Sequence, residues 1–197
     1  MRIFFTVVKQ IALVAATSVA VTGVAHAAPV SYAIDPAHTF VTFEIGHFGA
    51  SVNRGRFEKK KGHVELDKAT KTGKVDITFH IDSLTTGTAE FDKHLQSADV
   101  FDAAQYPTAR FVSDTFNFEG DKVVSVSGTL TLKGKSHPVT FKAQQFACYD
   151  SPILNREVCG GDFEATIDRT LFGVDYGIQY GFPKNVRLVA QIESIKQ

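Results

Sequence analysis

Every second residue is apolar across positions 74–82: Val75, Ile77, Phe79 and Ile81 alternate with Lys74, Asp76, Thr78, His80 and Asp82. Successive side chains of a strand point to opposite sides, so this segment gives a sheet one apolar and one wet face. The same period recurs in Val41, Phe43 and Ile45, in Val139, Phe141 and Ala143, in Phe163, Ala165 and Ile167, and in Val186, Leu188, Ala190 and Ile192. Val124, Val126, Leu130 and Leu132 extend it with Gly128 on their face, and Phe111 starts another strand. An all-β chain of roughly eight antiparallel strands follows. A sandwich and a barrel fit this pattern equally. Strands of about ten residues at ~3.4 Å per residue are long for a sandwich of this size, which favours a barrel. With eight strands a barrel is just wide enough to fill itself or to hold one small ligand.

One segment breaks the period. Phe91, Leu95 and Ala98 recur at helical spacing, and no β-branched residue occurs between Ala89 and Asp99. A helix is expected over about 89–101, plugging or gating one end of the sheet. Leu95 and Phe101 would face the interior, with Asp92, His94 and Asp99 capping the helix or tethering it to the rim. Turns are expected at 49–53, 120–121 and 133–135, and one strand at 57–67 with a bulge or a sharp bend at Gly62. A loop is expected over 147–161, and a Gly- and aromatic-rich loop over 171–183 could cover an opening. Phe116 and Phe118 fall opposite Phe111 in parity, hence outward, which would suit a homodimer.

The N-terminus reads as an export signal. Arg2 and Lys9 supply positive charge, residues 11–24 are uncharged and mostly apolar, and Ala25-His26-Ala27 gives a small-x-small cleavage site. Cleavage is expected after Ala27, leaving one domain over 28–197. The run is shorter than the ~20 residues that span a bilayer, and no other stretch qualifies, so no stable membrane span is expected. Without Arg2 and Lys9, 19 basic residues face 21 acidic ones, a net charge of −2 with no basic block, which argues against nucleic acid as a partner. In an oxidising compartment Cys148 and Cys159 are expected to form a structural disulfide.

Catalytic patterns are sparse. His26 leaves with the signal, and His63, His80 and His137 read as exposed. His38, His47 and His94 remain, with Asp35, Asp92 and Asp99 as candidate partners, but His38 and His47 would lie ~30 Å apart on one straight strand. There is no HxH, HExxH or GxSxG motif, and no phosphate-binding glycine loop. What the chain has in excess is phenylalanine, 17 in all. Inward Phe-rich faces could form a packed core or line a cavity, and composition leaves both open. A long hydrocarbon would suit a lined cavity: ~15 buried carbons at ~0.8 kcal/mol each give ~12 kcal/mol gross, against association costs of about 4–15 kcal/mol. By parity Phe43, Ile45, Phe79, Phe111, Leu130, Phe141, Phe163 and Ile167, with Leu95 and Phe101, would line the channel. His47, His94 and Arg169 are candidates for polar contacts at its mouth.

Taken in order, several segments resemble the YceI family. They are Asp35-x-x-His38, residues 43–47, Gly55-x-Phe57, and Asp92-x-His94-Leu95-x-Ser97-x-Asp99-x-Phe101. Tyr106-Pro107, Phe111-x-Ser113, Gly128-x-Leu130-Thr131 and Arg169-x-x-Phe172-Gly173 continue the match. The resemblance implies an extended, lipocalin-like, eight-stranded antiparallel barrel around an elongated apolar channel. It also implies a periplasmic protein that binds isoprenoids of quinone or polyprenyl type, or fatty-acid-like amphiphiles, with no catalysis and no cofactor beyond the bound lipid. Leu171 departs from the family pattern, standing where relatives often carry an acidic residue. Two other functions remain in play: a scavenger of lipophilic toxins or antibiotics with the same barrel, and a metal-assisted hydrolase using His38, His47 or His94.

Overall fold

The computed structural model describes residues 28–197; the expected signal peptide lies outside the described residues. Eleven strands are formed: β1 (Val30–Ile34), β2 (Phe40–His47), β3 (Ser51–Phe57), β4 (Lys60–Asp67), β5 (Thr72–His80), β6 (Leu84–Thr85), β7 (Thr108–Glu119), β8 (Lys122–Leu132), β9 (Lys135–Ser151), β10 (Arg156–Asp168) and β11 (Asn185–Lys196). One helix, α1 (Ala89–Gln96), separates β6 from β7.

The strands form one antiparallel sheet in the order β1-β4-β5-β7-β8-β9-β10-β11-β2-β3-β6, and β1 also pairs with β11. That last pairing closes an eight-stranded barrel. Strand β11 has two partners along one edge: residues 187–191 pair with β2, and 194–196 pair with β1. The barrel is thus sealed by β1 at one end, while β2, β3 and β6 continue the sheet at the other. Across the outer face there, Glu44 accepts from Arg54 Nε at 2.9 Å and from Arg187 Nη1 at 2.7 Å, and Arg187 also pairs with Glu164. These bonds hold the Glu44 carboxyl below the usual carboxylate range. The charges link β3, β2, β11 and β10, although exposed pairs of this kind contribute little to stability.

The apolar faces meet inside: Phe43, Phe57, Ile77, Phe79, Phe111, Phe141, Phe163 and Leu188 are all buried. Several expected boundaries differ. The helix ends at Gln96 and not near 101. Ser97 turns extended, and its N–H and Oγ both donate to His94 O, at 3.1 and 2.7 Å. Residues 49–53 are not one turn, because β3 begins at Ser51, and the expected strand 57–67 is interrupted after Phe57. Gly62 is not a bulge; it stays in register opposite Ile77, where a Cβ would lie 2.4 Å from Asp76 O. The glycine is needed for close approach of two backbones.

Phe116 and Phe118 do not face outward, so the expected dimer surface is absent there. The β7–β8 register shifts between Val112 and Thr115. Ser113 is buried at that shift; its Oγ accepts from Thr115 N at 3.0 Å and donates to Ser127 O. One irregular step reverses every later side chain, and both phenylalanines pack against the core. A second shift near Phe118 buries Val123 in place of Val124.

The expected cysteine loop is instead a hairpin of β9 and β10. Cys148 and Cys159 stand directly opposite one another in the ladder and are disulfide-bonded. A Cys148→Ser/Cys159→Ser double variant is expected to keep its β-sheet circular dichroism and lose about 3 kcal/mol of stability in urea unfolding.

Candidate functional site

The barrel is not filled by its own side chains. A cavity of about 280 Å³ lies beneath α1, and a smaller chamber of about 90 Å³ continues from it. Val41, Phe79, Phe111 and Phe141 border both. Phe111 and Phe141 meet edge to face there, with centroids 5.2 Å apart, so a layer of aromatic rings separates the chambers.

The parity-derived residues fall on these walls. Phe43, Ile45, Phe79, Leu95, Phe101, Phe111, Leu130, Phe141 and Ile167 line the larger chamber, and Phe163 lines the smaller one. Phe101 arrives by a different route from the helical one expected. It follows the turn after α1, where its N–H donates to Leu95 O at 3.0 Å, and its ring lies 6.5 and 6.0 Å from Phe43 and Phe57. Asn53 and Phe57 of β3 also line the cavity and were missed. Their alternation is masked in sequence by Gly55, whose missing Cβ would lie 2.6 Å from the Phe43 ring. Tyr176 and Phe182 add walls from the 171–183 loop.

Polar groups of the larger chamber are few: His47, Asn53, His94, Arg169 and Tyr176. His94, on the last turn of α1, stacks edge to face on Tyr176 at 4.7 Å, so helix and loop touch across the opening. His47 stacks on Phe182 at 5.4 Å and on exposed Phe48 at 4.9 Å. Asp92 tethers α1 by accepting from Thr86 N and Oγ1, both at 2.6 Å. Burial raises the Asp92 pKa, but these bonds outweigh it and leave the group below its ordinary value. A lowered carboxyl pKa means the tether persists above the unfolded value of about 3.9 and is lost only in stronger acid. Asp99 is exposed at the edge of this region.

Arg169 organises the loop. Strand β10 ends at Asp168, whose Oδ1 accepts from Thr170 N at 2.9 Å and Oγ1 at 2.6 Å, starting a single 3-10 turn. The Arg169 side chain then donates from Nε to Pro183 O at 3.0 Å, and from Nη1 to Val174 O at 2.7 Å and Tyr176 O at 2.9 Å. Burial pushes its pKa down, partly offset by Asp175 and Asp168. The expected cover is therefore a loop pinned from within.

His38 lies elsewhere. Its Nδ1 is 2.8 Å from Asp35 Oδ2, and with Glu193 these residues form a cluster of donor atoms within 4.8 Å of one another. None of the three lines either chamber. Among the described residues, neither His47 nor His94 joins such a cluster. The helix and strands therefore bring His47, His94 and Arg169 to one cavity and leave His38 out.

The geometry defines a small antiparallel barrel built around an apolar cavity, with its polar groups gathered at the helix-covered end. The YceI-like domain matches residues 32–194, and the chain belongs to that family. A UPF0312 protein of Shewanella denitrificans is 34% identical over 173 residues, covering 84% of this chain and 87% of that one. A UPF0312 protein of Pseudomonas putida is 38% identical over 133 residues, covering 67% and 69%. Among solved structures, Burkholderia cenocepacia BcnA superposes with a TM-score of 0.66 at 24% identity, covering 81% of this chain and 98% of that one. A polyisoprenoid binding domain from Saccharophagus degradans superposes with a TM-score of 0.60 at 16% identity, covering 85% and 99%. At these identities the superpositions establish the shared fold.

Removing the contact that bridges the opening should affect retention more than folding. His94→Ala is expected to cost about 0.5–1.5 kcal/mol in unfolding free energy, leave the barrel's circular dichroism unchanged, and raise the dissociation rate of a bound apolar probe. Outright unfolding would make the helix part of the core and not a gate.

Proposed function

We propose that the protein is a periplasmic carrier that holds a long-chain isoprenoid, or a related lipid, in the barrel. The observation that carries this reading is the apolar cavity itself. About 280 Å³ of the interior is left unpacked, and unfilled apolar space in a core is destabilising. Water would not offset the cost, because a buried water needs two to four polar partners and the deeper walls offer almost none. A hydrocarbon chain does offset it, and the Saccharophagus domain of the same fold is described as polyisoprenoid binding. The N-terminal signal pattern supports export. No helix among the described residues is long and apolar enough to cross a membrane.

The carrier reading calls for binding without turnover, and the cavity groups His47, His94 and Arg169 are engaged with rings or backbone carbonyls. Sequestration of lipophilic toxins would use the same walls, and the identity of the bound molecule separates it from carriage. Protein recovered from the periplasm of its native host should begin at Ala28 and release a prenyl or acyl lipid on denaturing extraction, at close to one per chain by mass spectrometry. Recovery of no lipid, or of a protein that was never exported, would contradict the proposal.

A further inference from the structure

A cluster of titratable side chains lies outside both chambers, at the seam where the barrel closes. Strand β11 pairs with β2 over 187–191 and with β1 over 194–196, so Glu193 falls at the change of partner. Its carbonyl accepts from Asp35 N and Thr39 Oγ1, both at 2.9 Å, and its N–H donates to Thr39 Oγ1 at 3.0 Å. These bonds fold the 35–39 turn back onto β11. They bring together the side chains of Asp35, His38 and Glu193, with one donor atom of each within 4.8 Å of the others. Each carboxylate is oriented from outside the group. Asp35 Oδ1 accepts from Ala37 N at 2.8 Å, and Glu193 Oε2 accepts from the Tyr149 hydroxyl at 2.9 Å. Asp35 Oδ2 meets His38 Nδ1 at 2.8 Å, and Glu193 Oε1 makes no hydrogen bond.

Two carboxylates thus converge with one imidazole, and among the described residues His38 is the only basic group in ion-pair contact with either. Lys60, whose charge reaches Asp35, donates to Glu58 O at 2.9 Å and lies 3.9 Å over the Phe40 ring. Even with His38 protonated, one negative charge of the group lacks a partner. We infer that Asp35, His38 and Glu193 form a binding site for one divalent cation of the zinc class, completed by water on the exposed His38 side. An imidazole nitrogen suits zinc, copper or nickel, whereas magnesium and calcium prefer oxygen alone. Asp35 is buried and His38 exposed, so the site is anchored at its base and open to solvent. Two ligands each ~2.1 Å from one ion lie at most about 4.2 Å apart, so the group must close in by about an ångström, which the exposed His38 side chain can do. The ion takes the place of the proton between Nδ1 and Oδ2, which leaves to solvent. Ala37 N and the Tyr149 hydroxyl then serve as outer donors that hold the ligand oxygens in place. The other cluster of such donors, Cys148, Glu157 and Cys159, has its sulfurs joined in the disulfide. The inference is independent of the carrier function: the ion would brace the seam by tying the turn before β2 to β11.

The test uses untagged full-length protein stripped with a chelator and titrated with zinc chloride alone, read by equilibrium dialysis and thermal unfolding. One zinc per chain is expected. The melting temperature should rise by about 5–10 °C at zinc a hundred-fold above its dissociation constant, with no comparable rise for magnesium at the same concentration. His38→Ala and Glu193→Gln should each weaken binding at least about ten-fold and remove the thermal shift. His63→Ala, at an exposed histidine of β4, should leave both unchanged. His38 is exposed and Glu193→Gln preserves side-chain shape, so both variants should match the metal-free wild type in circular dichroism. Absence of zinc binding to the wild type, or wild-type binding by either site variant, would overturn the site. An equal response to magnesium would overturn the assignment to a zinc-class ion.

Discussion

Closure of the sheet through β1 and β11 is the constraint on which the rest of the structure depends. An open sheet with this alternation would expose a face of phenylalanines and two unpaired edges. Pairing Tyr32, Ala33 and Ile34 with Lys196, Ile195 and Ser194 turns that face into an interior. Strand β11 gives the rest of the same edge to β2; the smaller chamber lies toward β1, lined by Val64 and Ser194, and the larger one beneath α1. The larger one lies where β2, β3, the helix and the 171–183 loop must complete the wall.

Those completing elements are secured by polar bonds. Asp92 ties the helix to Thr86, Ser97 ends it, and Arg169 gathers the loop from Val174 to Pro183. His94 and Tyr176 then meet across the opening through a ring contact that can be made or broken without disturbing either anchor. A ring contact between two anchored elements suits the proposed carrier, whose opening would admit a chain and retain it. The aromatic layer at Phe111 and Phe141 divides the interior by side chains alone, so rotation of rings, without backbone movement, would join the chambers.

Much of this was legible in the sequence wherever alternation was uninterrupted. Phe43, Ile45, Phe79, Phe141 and Ile167 fall on the cavity wall because the alternating runs that carry them are unbroken; the β9–β10 register shift, between Asp162 and Phe163, falls just outside those runs. Where the period breaks, sequence reading loses its phase. The irregular step fixed by Ser113 reverses Phe116 and Phe118, and nothing in the residue types marks a serine that hydrogen-bonds two neighbouring strands. The Asn53-Arg54-Gly55-Arg56-Phe57 stretch does alternate, but its inward members include an asparagine and a glycine, so it looks like a turn. Cys148 and Cys159 lie on paired strands whose outer halves are polar, so the hairpin reads as a loop. The role of Arg169 as a loop anchor depends on carbonyls five to fourteen residues away, which only the folded chain brings together.

On the proposed carrier reading, the two chambers form one channel for a single apolar chain. A crystal structure of the protein purified from its native periplasm without delipidation tests it most directly. Continuous density for one chain is expected, beginning beside Arg169, passing between Phe111 and Phe141 with their rings rotated apart, and ending near Phe163. Density confined to solvent, with both chambers filled by repacked side chains, would contradict it.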